Sequence, residues 1–390
     1  MDGNEANAGE AIELISELGA LPREQLLARI NDSSFRVELE AKLSKTSPFS
    51  QVQDNWLLHP DGGGHNSVGV ASHWVIERVL LGEGPDLIVN EAARQLSANT
   101  MVVLEVTAVK GVTVSEQQNL TRDVWFIPNS LVSNHHYADK IFSDTNFDFP
   151  FRSDWAALVQ RFVLSPVAVP AEGRIKAIEQ NSKAVDGRRG QREDLLRALY
   201  LTVDGPVELG GTIQLVEDGE IFRFGYSMLG SVGTKFVGTS SALDLEATRK
   251  FSDLLSSFRE RPAINVTLDR LGRATIERDP ADKAIDLGLA LETALMANDP
   301  TANQEISNKL GTRAAWLLGK NSAERREIYG EASQLYSARS DGAHRGIITA
   351  KTARKYKFEN GRRLVRNCIA KILERGTFPD WTDLTLGGDG

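Results

Sequence analysis

The hydrophobic period of this chain changes twice, and each change marks a different kind of packing. Up to residue 97 the apolar residues follow a helical repeat. Pro22 suits a first turn ahead of Leu26, Leu27 and Ile30, the pattern resumes over 35–43, and helical segments at 72–81 and 87–96 follow a glycine-rich loop at 61–65. From 98 to 245 the character is strand-like, with runs at 101–107, 124–127, 158–163, 199–203, 212–216 and 221–224. The last two are joined by a hairpin signal, Glu217-Asp218-Gly219-Glu220, and the charged stretch 184–194 reads as an exposed loop. From about 243 the helical period returns, in segments 243–259, 266–278, 281–296, 303–318, 322–339 and 360–375, separated by Arg261-Pro262, Asp279-Pro280, Asn298-Asp299-Pro300 and Gly319-Lys320-Asn321. Stripes such as Ile306/Leu310/Ala314/Leu317 and Leu364/Cys368/Ile372 predict a helical bundle. The expected class is therefore α+β and multidomain: a helical region over 1–97, a mixed strand-rich domain over 98–245, and an all-helical domain over 246–390 with its core in 262–390.

Length and composition set limits on function. A chain of 390 residues accommodates two or three cores. No run approaches the ~18 apolar residues of a membrane span, and the acidic start Met1-Asp2-Gly3-Asn4-Glu5 has neither the basic nor the apolar region of a signal peptide. One cysteine, Cys368, leaves no intrachain disulfide framework, and it sits on an apolar stripe as a core residue. A cytoplasmic protein without a membrane partner is the expectation.

The net charge of −8 argues against a nucleic-acid partner until it is mapped. Residues 345–375 hold ten basic residues (Arg345, Lys351, Arg354, Lys355, Lys357, Arg362, Arg363, Arg366, Lys371 and Arg375) against Glu359 and Glu374. That gives +8 there and −16 for the rest of the chain. Such asymmetry suits a phosphate-binding surface on an acidic body, with a solvated helix face as the plainer reading.

Directly before this segment stands Arg339-Ser340-Asp341-Gly342-Ala343-His344. The helix leading to it has Ser322 as its candidate N-cap, with Arg325 where a capping box favours Glu or Gln. Its stripe of Ile328, Ala332, Leu335 and Tyr336 puts Arg339 on the inward face, where an arginine needs an acidic partner, a phosphate or an exit to solvent. A regular helix holds Arg339 and His344 about 140° apart, so a break at Ser340-Asp341-Gly342 is expected if the two side chains are to meet. Histidine exchanges protons near neutral pH, and arginine grips phosphate oxygens. The pair are the candidate catalytic residues, with Ser340, Asp341 and Tyr336 in support and Arg345, Lys351, Arg354 and Lys355 as RNA-binding candidates. Asp341 reads equally as a cap or turn residue, and Tyr336 as core packing. Arg313, between Leu310 and Leu317, is expected to be at least partly buried, with Glu292 as candidate partner in a structural ion pair, a direct role on RNA being the alternative. His59, His65 and His73 lack ligand spacing and His135-His136 reads as a loop pair, so no metal or cofactor is expected. The glycine-rich turn at 230–235 lacks the phosphate-loop spacing.

The ordered set of C-terminal motifs resembles the HEPN superfamily, and within it the ApeA-like HEPN domains. The motifs are Arg278-Asp279-Pro280-Ala281-Asp282-Lys283-Ala284-Ile285-Asp286-Leu287, Ala290-Leu291-Glu292, Lys309-Leu310-Gly311-Thr312-Arg313-Ala314-Ala315-Trp316, Glu324-Arg325-Arg326, Leu335-Tyr336-Ser337-Ala338-Arg339-Ser340 with His344, and Pro379-Asp380-Trp381 before Leu384-Thr385-Leu386-Gly387. The resemblance covers 278–390 and extends toward 262. It departs at the histidine, where Gly342-Ala343 replace two apolar residues and Arg345 replaces glycine. It implies a helical bundle that dimerises so that two R-x4-H motifs share one cleft. It further implies a metal-independent endoribonuclease of the toxin–antitoxin or antiviral-defence kind, with an unidentified trigger or antitoxin partner. Other members bind RNA or nucleotides without cutting, or serve as dimerisation scaffolds.

Overall fold

The computed structural model describes residues 2–30, 32–66, 70–134, 155–222, 228–229, 239–297, 299 and 305–388. It is an α+β protein with helices at both ends and a sheet between them. The first part contains α1 (Asp2–Gly19), α2 (Arg23–Ile30), α3 (Ser33–Leu43), β1 (Trp56–Leu58), β2 (Gly64–Asn66), α4 (Val70–Leu80) and α5 (Pro85–Ala98). Local chemistry sets the helix ends. Asp32 caps α3 by accepting from the amides of Ser34 and Phe35, Pro85 opens α5, and Asn99 closes it in the left-handed conformation at φ +48°. The two short strands correct the expectation of a helical region with a loop at 61–65. They pair with each other, and β1 also pairs with β8 (Ala168–Val169) from the middle of the chain. One apolar cluster accordingly joins Ile15, Leu43, Ile76 and Ile88 to Met101, Val103, Val167 and Ile221, on both sides of residue 97.

The middle part is an antiparallel sheet in the order β10-β9-β3-β7-β6-β5, formed by β3 (Met101–Lys110), β5 (Gln118–Asn119), β6 (Val124–Pro128), β7 (Ala156–Leu164), β9 (Glu208–Asp218) and β10 (Met228–Leu229). Two short strands, β4 (Val112–Thr113) and β11 (Ser241–Ala242), pair in parallel beside it. The centre is β3 against β7, in register from Met101 opposite Leu164 to Val109 opposite Ala156.

Three expectations fail around this sheet. The charged stretch 184–194 and the apolar run 199–203 are neither loop nor strand; 174–202 form one helix, α6 (Arg174–Thr202). Residues 220–222 make a 3-10 turn rather than the start of a strand, and β9 pairs instead with β10. The physical reason for α6 is tertiary. It buries Leu195, Ala198, Leu199 and Leu201, while one face of its charged middle, carrying Arg188 and Arg192, turns to a polar seam on the sheet. There Arg192 pairs with buried Glu105, Gln160 donates to Gln191, and Arg188 donates to the Pro60 carbonyl at 2.7 Å over the Phe162 ring. Burial draws the Arg188 guanidinium down to about 10.

The last part is helical throughout its described residues: α7 (Leu245–Ser257), α8 (Arg261–Ile276), α9 (Pro280–Met296), α10 (Ile306–Leu318), α11 (Ser322–Arg345), α12 (Ala350–Ala353), α13 (Phe358–Arg375) and α14 (Trp381–Thr385). Asp279 caps α9 ahead of Pro280, and Gly346 and Gly376 end α11 and α13 with positive φ. The core gathers Leu268, Leu287, Leu291, Leu310, Leu335, Val365, Cys368 and Ile372, with Ala198 and Leu201 of α6 seated in the same cluster. Ion pairs fasten α6 to this bundle: Arg197–Asp269 at 2.9 Å, Arg261–Asp194 at 2.5 Å, and Arg366 to Asp204, just beyond α6, at 2.6 Å. Among the described residues no helix is long and apolar enough to cross a membrane.

Candidate RNA-binding surface and R-x4-H helix

The helix carrying the motif begins one residue earlier than the sequence suggests. Asn321, not Ser322, is the N-cap, and its side chain accepts from the amides of Ala323 and Glu324. Glu324 at the third helical position takes the amide of Lys320, the residue before the cap, at 2.9 Å and the Asn321 side chain at 2.7 Å, so a variant of the capping box is formed with Glu324 in the place that a Ser322 cap would give to Arg325. From there α11 runs without interruption to Arg345. The expected break at Ser340-Asp341-Gly342 does not occur, because Asp341 is engaged in side-chain bonding and Gly342 in packing within an intact helix. Gly342 lets α9 approach, since a Cβ there would stand 2.9 Å from the Ala281 carbonyl oxygen.

An unbroken helix leaves Arg339 and His344 about 140° apart on its surface. Arg339 turns toward α9. A Cβ on Gly288 would lie 2.6 Å from the Arg339 Cβ, so the glycine opens a channel in which the arginine stem lies. At its end the guanidinium meets Glu292: Nε stands 3.1 Å from Oε1, and a terminal nitrogen donates to Oε2 at 3.3 Å. The two side chains are 24% and 18% exposed. Burial raises the Glu292 carboxyl above the ordinary glutamate value, and Arg339 offsets only part of that. His344 is exposed near the C-terminal end of the helix. Within one chain, therefore, the two candidate catalytic residues do not share a site.

The supporting residues divide similarly. Tyr336 packs on the bundle core with its ring centroid 6.0 Å from the Arg339 guanidinium, and Ser340 is half-buried. Asp341 clamps the segment after the helix: one carboxylate oxygen accepts from the Thr349 amide at 3.1 Å, the Thr349 hydroxyl at 2.6 Å and the Thr352 hydroxyl at 2.6 Å. These bonds, the Thr349 hydroxyl first, hold its pKa down to about 2. The sequence reading of Arg313 is corrected in its partner. Arg313 is buried in an ion pair as expected, but with Asp299 at 2.5 Å, together with the Leu295 carbonyl at 2.7 Å and the Trp381 ring. Glu292 belongs to Arg339 instead. Both arginines lie on apolar stripes, and the sequence does not say which carboxylate the helix packing brings to each.

The structure splits the basic segment in two. In its second half, Arg362 and Arg366 reach Asp204, and Arg363 reaches Glu331 at 2.8 Å. In its first half, Arg345, Lys351, Arg354, Lys355 and Lys357 are exposed, and no Asp or Glu lies between Arg345 and Lys357. Arg345 has Asp341 at 3.8 Å, a loose surface pair. The four RNA-binding candidates thus stand in one short exposed stretch beside His344. Lys357 and the aromatic pair Tyr356 and Phe358 complete it, and alternation of cationic and aromatic residues in 354–358 is the sequence signal for these three.

His59 is 3.8 Å from Asp61 and is drawn below its ordinary pKa by burial, while His73 pairs with Glu77 at 3.3 Å. His135, His136 and the turn at 230–235 fall outside the described residues. Among the described residues, no three His, Cys, Asp or Glu side chains are grouped to hold a metal ion. Comparison with family models, curated protein sequences and solved structures returns no match to this chain.

Proposed function

We propose that this protein binds single-stranded RNA through the surface formed by residues 344–357. The observation that carries the reading is the run of five exposed cations, Arg345, Lys351, Arg354, Lys355 and Lys357, uninterrupted by an acidic residue on a chain that is otherwise strongly acidic. A polyanion gains from displacing counterions on such a patch, and the acidic remainder of the body discourages it from binding elsewhere. The test is fluorescence anisotropy with a labelled single-stranded RNA, across a salt series, for wild type and for Lys351→Gln/Arg354→Gln/Lys355→Gln/Lys357→Gln. Binding should weaken with salt, and the slope of log K against log salt should fall by about 0.7 for each phosphate contact removed. Equal binding by the variant, or none by wild type at low salt, would refute the reading.

A second reading is favoured by the exposure of His344 at the edge of that patch and by the HEPN resemblance: a metal-independent endoribonuclease. Since Arg339 and His344 diverge in one chain, the site would be completed by a second copy, with the two motifs facing one cleft. Histidine takes the proton from the RNA 2′-OH, whose oxygen bonds to phosphorus as the bond to the 5′-oxygen breaks. A proton donor then neutralises that leaving oxygen, giving a 2′,3′-cyclic phosphate and a 5′-hydroxyl. The assay is cleavage of mixed RNA in EDTA by wild type and His344→Ala. Cleavage that persists in the variant, or on RNA 2′-O-methylated at the cut site, would exclude this chemistry.

A further inference from the structure

Beside the cationic run lies a pocket of about 530 Å³ between the start of α9 and the chain that follows His344. Its walls are mostly apolar: Pro280 and Ala281 from α9, Ile347 and Ile348 from the segment after α11, and Tyr356 and Phe358. Two charged residues also line it: Lys283, with its ammonium 4.7 Å from the Phe358 ring centroid, and Asp279, whose carboxylate is engaged by the amides of Ala281 and Asp282 at the start of α9. Two of these residues are costly as they stand. Ile347 is 63% exposed, and the Tyr356 Oη is buried with no hydrogen-bond partner. The pocket is set among cations, since Lys351, Arg354, Lys355 and Lys357 alternate in sequence with its lining residues Ala353, Tyr356 and Phe358.

The charge around the pocket selects its occupant. A second copy of this chain docking here about a two-fold axis would bring like against like, five cations on five. An anionic ligand with a flat, largely apolar group satisfies both features, with phosphates on the cations and the flat group against Tyr356, Phe358 and Ile347. We infer that this pocket seats an unstacked base of single-stranded RNA, holding the nucleotide next to His344 while the cationic run tracks its backbone. The inference rests on the RNA reading above and adds a base subsite to it. Because the lining is mostly flat and apolar, with the Tyr356 hydroxyl and the Lys283 ammonium as its few free polar groups, it accepts a base of any sequence with modest preference.

The experiment compares the full-length protein's affinity for an RNA oligomer and for a ribose-phosphate oligomer of equal length that lacks its bases. Wild type should bind intact RNA about tenfold more tightly. Two pocket variants, Ile347→Ser at an exposed position and Ala353→Trp to fill the space, should bring the affinity for intact RNA down to that for the baseless oligomer. They should leave the baseless affinity and the salt slope unchanged. Equal wild-type affinity for the two oligomers, or unaltered RNA binding by both variants, overturns the base subsite while the phosphate-binding surface stands. No binding of either oligomer overturns both. Dissociation of a dimer by Ile347→Ser, with RNA affinity intact, assigns the pocket to a second copy and likewise overturns the inference.

Discussion

Arg339→Leu is the substitution whose consequence the structure fixes most fully. It removes the guanidinium that Glu292 faces and leaves a carboxylate, 18% exposed, between α9 and α11. Breaking a fully buried pair from one side costs roughly 3–5 kcal/mol, and the residual exposure of both partners here reduces that to about 2 kcal/mol at pH 7. The pH dependence has a definite sign. Burial already lifts Glu292 above 4.5 with Arg339 in place, and removing the cation lifts it further. The folded form then holds its proton more tightly than the unfolded chain does, so stability falls as pH rises through the window above 4.5. Urea unfolding followed by circular dichroism should therefore show a larger loss at pH 7 than at pH 5. Arg339→Leu/Glu292→Leu should recover most of the loss, because removing both charges leaves neither unpaired. A loss equal at the two pH values, or a double variant no more stable than the single one, would show that the ion pair is not what Arg339 contributes.

Three other outcomes are expected. Gly288→Ala should destabilise by about 1–3 kcal/mol in thermal melts, since the clash of the new methyl with the Arg339 stem outweighs a helix-propensity gain of about 1 kcal/mol. Asp341→Asn should speed hydrogen exchange at the Thr349 amide; in wild type that protection should persist as the pH falls through the ordinary aspartate range and fade only as it approaches 2, where the clamp's depressed carboxyl takes up its proton. Cys368, fully buried with its thiol pushed up in pKa, should resist iodoacetamide in native protein and react completely in urea; reaction at equal rates would contradict its place in the core.

The bundle was legible in the sequence because its stripes are local: 3.6-residue spacing over 281–296 or 360–375 reports the buried face without knowledge of the partner helix. The long helix α6 was not legible. Gly187, Gly190 and the dense charge around them carry loop character, and the run 199–203 suits strand or helix equally. What settles it is Glu105 and Gln160 on the sheet, which receive Arg192 and Gln191 from far along the chain. The motif shows the same division. The inward direction of Arg339 followed from Leu335 and Tyr336, whereas its partner depended on helix packing. Gly342 has the sequence character of a turn residue, yet it serves close approach to Ala281, a use that glycine advertises no differently in sequence.

That packing changes what substitutions at the motif can report. An arginine held by Glu292 across two helices is part of the scaffold, so loss of activity on removing it mixes altered chemistry with altered stability. His344 is the cleaner probe: it is exposed in the last turn of α11, where a cation interacts with the helix dipole by about 1 kcal/mol or less. Arg339→Lys is the useful companion, because lysine keeps a positive charge for Glu292 while losing the planar fork that grips two phosphate oxygens. If Arg339 acts only in the scaffold, Arg339→Lys retains RNA affinity and any cleavage, whatever His344→Ala does. If the arginine of one copy meets RNA held beside the histidine of another, both variants lose turnover at unchanged stability. Mixing the two inactive variants then restores activity in the heterodimer, where one cleft contains an intact arginine and an intact histidine from different chains. Restoration by mixing is the one result that the geometry of a single chain cannot produce.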